Sequence, residues 1–374
     1  MSEDSDAVGD GESVSTRLDE ARRLLAIGRL SDAAGRLAEA REHASTAVDF
    51  ARILDTFGAV LARKNDTDQA LDHHLAAARI ARESIDDWDG MVGAEKDPPA
   101  PEQPSAAPEV EAGALANAGA LAQILERHGV AEAALRRAAA LLRSLDASSM
   151  TAEIRHNLGV LLLRTGRATE ARSELAAALA IDRGRGDSRL LVGDLLRLAA
   201  ALRSGDDPLL DDARDRISEA LEYAAKMGPL AEAECHLELA AIERAGGRTL
   251  AALEATKAAV DRLEALPATD ASSPSPRALP LGRAYVDLAF SARALGRRET
   301  ALSALSRAAE QAEVCRNPVL AALIARERAA LDGIDLEAVG RAELERRAGA
   351  AAPPQEPAAE SGETAAESSE ESSR

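Results

Sequence analysis

The chain has 374 residues, a formal net charge of -19, 46% hydrophobic residues and only 2% aromatic residues. Two cysteines, Cys235 and Cys315, exclude a disulfide framework. The absence of any run of about 18 apolar residues excludes a predicted membrane span. The acidic balance excludes nucleic acid as the expected partner, because phosphate binding needs a net basic footprint.

In chain order, residues 1–14 carry five acids and no base, which predicts a disordered acidic N terminus. A regular spacing then occupies residues 15–82 and returns over residues 112–316. Each unit begins with a small residue, which is followed three residues later by an apolar residue. A turn residue comes about four residues after the apolar one. Alanine follows five residues after the turn residue, and a second small or apolar residue lies seven residues after that alanine. The first small residues are Ala21, Gly58, Ala122, Gly159, Ala199, Ala240 and Ala289. The turn residues are Gly28, Asn65, Gly129, Gly166, Gly205 or Asp206, Gly247 and Gly296.

This spacing predicts two amphipathic helices per unit, joined by a short turn. Glycine supplies the left-handed conformation that ends a helix, and small residues allow two antiparallel helices to approach closely. An alanine-rich helical protein without repeats could imitate one such unit. Seven matches with turn residues in register argue against that alternative.

The repeat resembles the tetratricopeptide repeat (TPR) family, on the segments LGVLL, TGR, ATEA and LAAAL of the fourth unit and LDTFGAVL, DLAFSARALGRRETAL and LLAIGRLSDAAGRL elsewhere. The aromatic and proline positions of the family pattern are mostly filled by leucine and alanine, and the units run to 37–41 residues rather than the usual 34. The resemblance implies an all-α, right-handed superhelical solenoid of antiparallel helical hairpins whose first helices line a concave surface that binds other proteins.

Three further segments interrupt or follow the repeats. Residues 83–111 are acidic and proline-rich and are expected to form a disordered or semi-extended insertion, and residues 267–280 a loop. Residues 317–348 are predicted to form one or two helices that cover the last apolar face, and residues 349–374 a disordered acidic tail. Most of the net charge lies in the N terminus, the insertion and the tail, so the repeat array itself is nearly neutral.

A search for catalytic motifs finds no phosphate-binding glycine loop, HExxH, paired CxxC or GxSxG. None of the six histidines pairs with another histidine or a cysteine at helical spacing. We therefore expect no enzyme activity, no cofactor and no metal. An enzyme site assembled between units is left open, but no candidate residue supports it.

Arginines near the ends of several first helices could bind carboxylates of an acidic peptide through paired hydrogen bonds. The alternative is that they only complement the helix dipole. These residues are Arg63, Arg164, Arg203, Arg244 and Arg293. Some TPR proteins bind the C-terminal carboxylates of a chaperone with five Lys, Asn and Arg side chains. Asn157 and Arg197 match two of those five positions. The other three positions are occupied by Gly119, Gln123 and Gly193, which depart from the pattern.

Trp88, the only tryptophan, lies between acids in the insertion and resembles peptides that some TPR adaptors, including kinesin light chains, bind. It is a hypothetical self-docking motif; the alternative is that it packs against the end of the second unit.

The sequence thus favours a cytoplasmic scaffold or adaptor that binds a peptide or helix of a partner protein in its concave groove, without nucleic acid or membrane. The alternative is a peptide-responsive regulator whose superhelix changes shape on binding. The N terminus has no basic and apolar segment typical of a secretory signal, which favours the cytoplasm.

Overall fold

The computed structural model describes residues 13–91, 106–143, 148–267 and 277–333, with the side chains of 84–91 and 148 left out. Those residues form fifteen α-helices and no strand. The helices pair in chain order into seven antiparallel hairpins, followed by one more helix. Their bounds are α1 Val14–Ala26, α2 Leu30–Glu42, α3 Ala47–Arg63, α4 Thr67–Met91, α5 Ala107–Ile124, α6 His128–Leu142, α7 Ser148–Arg164, α8 Ala168–Arg185, α9 Ser188–Arg203, α10 Leu210–Met227, α11 Pro229–Ala245, α12 Thr249–Glu264, α13 Ala278–Ala294, α14 Arg298–Cys315 and α15 Pro318–Leu331.

Most hairpins share one three-residue turn, whose middle residue has a positive φ. In the fourth hairpin this residue is Gly166, at φ 79°, and the Arg167 amide donates to the Leu162 carbonyl at 2.8 Å. Such bonds satisfy carbonyls that would otherwise be left at the helix end. The same conformation occurs at Gly28, Asn65, Glu126, Gly247 and Gly296.

The predicted register of the third unit is wrong by three residues. Its turn is at Glu126, at φ 58°, and the predicted turn residue Gly129 lies inside α6. The small residue that faces the second helix is therefore Gly119 rather than Ala122. A Cβ on Gly119 would lie 2.6 Å from Leu135 Cγ, as one on Gly159 would lie 2.5 Å from Leu175 Cγ.

The core consists mainly of alanine and leucine, as the composition predicts. Its buried residues form three clusters along the array, and each helix packs chiefly on its neighbours in sequence. Along most of the array, successive first helices also approach each other, whereas successive second helices do not approach as closely. The first helices therefore lie on the inner side of the curve.

The edges of the predicted insertion belong to helices. Helix α4 continues to Met91, and α5 begins at Ala107. The prediction of a disordered segment over 83–111 is therefore wrong at both ends of that range. Residues 92–105, between the two helices, lie outside the described part. Glu111, counted with the insertion, is buried and pairs with Arg137 at 3.1 Å. Helix α13 begins at Ala278, inside the predicted loop 267–280.

At the two ends of the chain, the described residues reach only part of the predicted segments. Helix α15 supplies the first part of the predicted 317–348 cap. Most of the predicted N-terminal tail, the rest of the cap and the C-terminal tail lie outside the described residues.

Candidate functional site

The surface formed by the odd-numbered helices, α1 to α15, is here called the first-helix face. A repeated polar contact links neighbouring helices across it. In each contact, the first partner lies four residues after the small residue that recurs in every first helix. The second partner lies on the next first helix, two residues before its small residue. We call these contacts the ladder: Gln123 Nε2 to the Asn157 carbonyl at 3.2 Å, Arg203 Nε to Glu238 Oε1 at 2.9 Å, Arg244 Nη2 to Asp287 Oδ1 at 3.2 Å, and Arg293 Nη2 to Glu327 Oε2 at 3.1 Å.

The ladder carboxylates lie in a poorly solvated environment. Burial raises the pKa of Glu238 despite the neighbouring Arg203, and it raises the pKa of Asp287 despite Arg244. Losing the guanidinium would leave each carboxylate without the main partner that offsets its desolvation. These ion pairs therefore hold successive first helices together and neutralise the inner surface locally.

Phe290 adds an aromatic contact to the same surface. Its ring lies under two ladder arginines, with Arg293 Cζ 5.2 Å and Arg244 Cζ 5.7 Å from the ring centroid. Guanidinium groups at such distances are attracted to the negative face of the ring. Phe290 is 38% exposed, so this part of the inner surface presents an aromatic edge to a ligand.

The ladder is interrupted between α7 and α9. Leu163 occupies the position where later first helices carry arginine, and Arg197 the position where they carry an acid. Arg197 is exposed and forms no ion pair or hydrogen bond with any residue that the structure describes. Asn157 contributes only its backbone carbonyl to the ladder, which leaves its side-chain amide available. The interruption thus leaves one polar side chain on each of two neighbouring first helices, Asn157 and Arg197, without a hydrogen bond or ion pair among the described residues.

The predicted arginine row divides into groups with different roles. Arg203, Arg244 and Arg293 are in ladder ion pairs. Arg164 Nη1 donates to the Gln123 carbonyl at 3.2 Å, and Arg63 is exposed without a partner among the described residues. Trp88 lies in the last turns of α4, and its side chain is outside the described part.

Sequence reasoning missed the acidic half of the ladder. Each acid follows its arginine by roughly one repeat, at separations of 35 residues for Glu238 and 34 for Glu327. That periodic pairing of charges was the available signal. It was hidden because the chain contains 64 acids, and carboxylates are common on any exposed helix.

Within the described residues, no group of three or more His, Cys, Asp or Glu side chains could hold a metal ion. In the same part of the chain, no helix is both long and apolar enough to cross a bilayer. Cys235 and Cys315 are both free thiols.

Comparison with known proteins finds no matching family model and no matching curated protein. Similar folds occur among solved structures. A Rap protein complexed with competence and sporulation factor is 13% identical, with a TM-score of 0.55 over 83% of this chain and 79% of that one. NprR in complex with its cognate peptide NprX is 14% identical, with a TM-score of 0.55 over 90% and 89%. A tetratricopeptide repeat protein from Parabacteroides merdae is 13% identical, with a TM-score of 0.52 over 85% and 100%.

These similarities define the class of fold: the chain is a TPR-like helical solenoid, as its repeat predicted. At such low identities they establish the fold alone. The same fold occurs in aspartyl phosphate phosphatase F from Bacillus subtilis, at 12% identity and a TM-score of 0.51. Fold class therefore does not decide between binding and catalysis, and the function has to be argued from the site.

Proposed function

We propose that this protein is a non-enzymatic interaction protein that binds a peptide, or a helix of a partner, against its first-helix face. The observation that carries the proposal is the interruption of the ladder at Asn157 and Arg197. Three ladder arginines, Arg203, Arg244 and Arg293, are already paired with the next first helix, so a ligand carboxylate would have to displace their partners there. Here a guanidinium and an amide are available on adjacent helices.

The chemistry of these two groups favours a carboxylate ligand. Arginine offers a planar set of N–H donors that matches a carboxylate, and an asparagine amide adds a further donor. Arg197 stands at the position where later units carry the acids Glu238, Asp287 and Glu327. A ligand carboxylate beside Arg197 would supply the negative charge that this step of the ladder lacks. Binding of a peptide is further supported by the Rap and NprR structures, whose TPR-like folds are complexed with competence and sporulation factor and with a cognate peptide.

The proposed partner is a protein or peptide with an exposed carboxylate, and the proposed compartment is the cytoplasm. The nearly neutral repeat array gives nucleic acid no basic surface. Two free cysteines are compatible with reducing surroundings.

The test is selection of peptides from a random library with free C-terminal carboxylates on the full chain, followed by calorimetry. We expect Arg197→Ala and Asn157→Ala each to weaken the selected peptides by about tenfold or more, which corresponds to about 1.4 kcal/mol. The control is Arg79→Ala, an exposed arginine of the second helix α4 whose partner is Glu83 at 3.8 Å. Equal affinities for the wild type and Arg197→Ala would remove the support for this site.

The alternative function, a peptide-responsive regulator, is favoured by the same interruption. Helices α7 and α9 lack the ladder contact that joins α5 to α7 and each later pair of first helices from α9 to α15, and a bound carboxylate would supply one. Small-angle scattering of the full chain with and without a selected peptide separates the two functions: a change in overall dimensions supports the regulator, and identical profiles support a static scaffold.

A further inference from the structure

A cavity of about 520 Å³ lies between the N-terminal halves of α7 and α9 and the C-terminal end of α8. Its lining includes His156, which precedes Asn157 in the sequence, and Gly193, which is one helical turn before Arg197. No sequence motif pointed to it. Acidic and basic groups share its lining, namely Glu153 and His156 of α7, Asp182 and Arg185 of α8, and Arg189 and Asp194 of α9.

Asp194 gives the cavity an unsatisfied acceptor. The residue is 2% exposed, and its Oδ1 lies 2.6 Å from His156 Nδ1. Its Oδ2 is buried and has no hydrogen-bond partner. A buried carboxylate oxygen without a hydrogen-bond donor lowers the stability of the fold. Its presence therefore indicates a site where a ligand could supply the missing donor.

Asp182 places a second carboxylate in the same site. It is 4% exposed, and its Oδ1 accepts from Arg185 Nη1 at 2.9 Å. Burial raises the pKa of Asp182, and the neighbouring charge of Asp194 raises it further. Two buried carboxylates side by side favour a positively charged donor between them, because such a donor relieves both the repulsion and the missing hydrogen bond.

Gly193 keeps the approach to the carboxylates open. A Cβ built on Gly193 meets no atom within 4 Å, although the residue lies inside α9. Leu190, one turn earlier on the same helix, supplies an apolar wall. This combination suits a methylene stem that ends in a charged group.

We propose that this cavity binds an alkylammonium group of the peptide held on the first-helix face, either a lysine side chain or a free N terminus. The inference rests on the proposed function for the identity of the ligand, but the ammonium site itself is independent of it. An ammonium carries three N–H donors, so it can pair with more than one of the carboxylate oxygens of Asp194 and Asp182. Arg185, which pairs with Asp182, and Arg189 also line the cavity, so its lining is not purely acidic.

The position of the cavity constrains the ligand. Gly193 and Arg197 are four residues apart on α9 and so lie on one face, one helical turn apart. A carboxylate at Arg197 and an ammonium above Asp194 would therefore belong to positions close together in the ligand. We expect the ammonium within one or two residues of the carboxylate.

The first experiment tests the ammonium site without any peptide. n-Butylammonium chloride is titrated into the full chain while the imidazole resonances of His156 are followed by NMR, with n-butanol in sodium chloride as the matched reference. We expect a saturable shift with the amine that is lost in Gly193→Leu, which fills the cavity, and in Asp194→Asn. Gly35→Leu in α2, where a Cβ also meets nothing within 4 Å, is the control for the added side chain. No saturable shift in the wild type would overturn the proposal.

The second experiment identifies the source of the ammonium. Calorimetry compares short peptides with a free C-terminal carboxylate that carry a penultimate lysine, the same peptides with acetyl-lysine, and lysine-free peptides with a free or an acetylated N terminus. We expect at least tenfold weaker binding when the relevant ammonium is acetylated. If peptides bind and depend on Arg197 but ignore acetylation, this inference fails and the proposed function stands. If n-butylammonium binds but no peptide does, the ammonium site stands and the proposed peptide-binding function fails.

Discussion

Gly159 and Gly193 provide a matched pair of substitutions that tests how closely the helices of a hairpin pack. Both glycines lie inside first helices, α7 and α9. In Gly159→Ala the new Cβ would lie 2.5 Å from Leu175 Cγ and 2.9 Å from its Cδ2. In Gly193→Ala the new Cβ enters open space. The two changes are chemically identical and differ only in what the methyl group meets.

The expected energies follow from two effects of opposite sign. Replacing glycine by alanine within a helix stabilises it by about 0.8–1.0 kcal/mol. Forcing a methyl group into a filled space costs about 1–3 kcal/mol. Leu175 is fully buried, and the overlap involves its branch atom, so relieving it requires the whole side chain to move within a filled core. We expect Gly193→Ala to stabilise the fold by about 1 kcal/mol and Gly159→Ala to be less stable than Gly193→Ala by about 1–3 kcal/mol.

Urea unfolding followed by far-ultraviolet circular dichroism measures both variants. A third protein, Gly159→Ala in a Leu175→Ala background, isolates the overlap: with the leucine truncated, the glycine replacement should become stabilising relative to Leu175→Ala alone. Equal free energies of unfolding for Gly159→Ala and Gly193→Ala would refute the close approach of α7 and α8.

Three further predictions concern the ladder and two buried groups. Arg203→Ala should lower the free energy of unfolding by about 1–3 kcal/mol because it removes the hydrogen-bonding partner of the partly buried Glu238 carboxylate. Replacing both residues by leucine should recover most of that loss, and equal losses would contradict the ion pair. The raised pKa of Asp182 means that its protonated form favours the folded chain, so its contribution to stability falls as the pH rises through the folded pKa. Asp182→Asn should therefore gain stability over the wild type as the pH rises above the ordinary pKa of an aspartate, and a constant difference in urea unfolding would argue against the shift. Burial raises the pKa of Cys235 to about 12. Iodoacetamide should therefore modify the partly exposed Cys315 much faster than Cys235, which mass spectrometry of the native protein would measure. Similar rates of modification would contradict the burial of Cys235.

The repeat could be read from the sequence because its steric requirements recur in every unit. A small residue is needed where two helices cross and a left-handed residue where the chain turns, and both leave a periodic trace. The third unit shows how a register predicted from spacing can be wrong. Ala122 and Gly129 reproduce the expected spacing of seven residues, but the chain turns at Glu126, a residue that carries no turn signal. Packing of Gly119 on Leu135 determines the register there, and a contact between helices is not visible in a local pattern.

The candidate site was less predictable because it depends on pairing. The sequence does not distinguish Arg197, Arg203 and Arg244, since each is an arginine on a first helix. Only the neighbouring helix decides whether the guanidinium faces an acid. Asp194 and Asp182 are likewise two carboxylates among many, and their significance comes from burial and from a missing hydrogen-bond partner.

The ladder also changes what a row of arginines on such a surface means. If all were free, the inner face would attract acidic ligands along its whole length and would have little positional selectivity. Because three arginines are paired with the next helix, the proposed ligand carboxylate would gain most where the internal acid is missing, between α7 and α9. Under this proposal the ligand would take the place of a residue of the fold, and the interrupted contact would set the position of binding. Introducing an acid at that place, as in Arg197→Glu with Leu163→Arg, should complete the ladder and abolish peptide binding while leaving the helical content of the array intact.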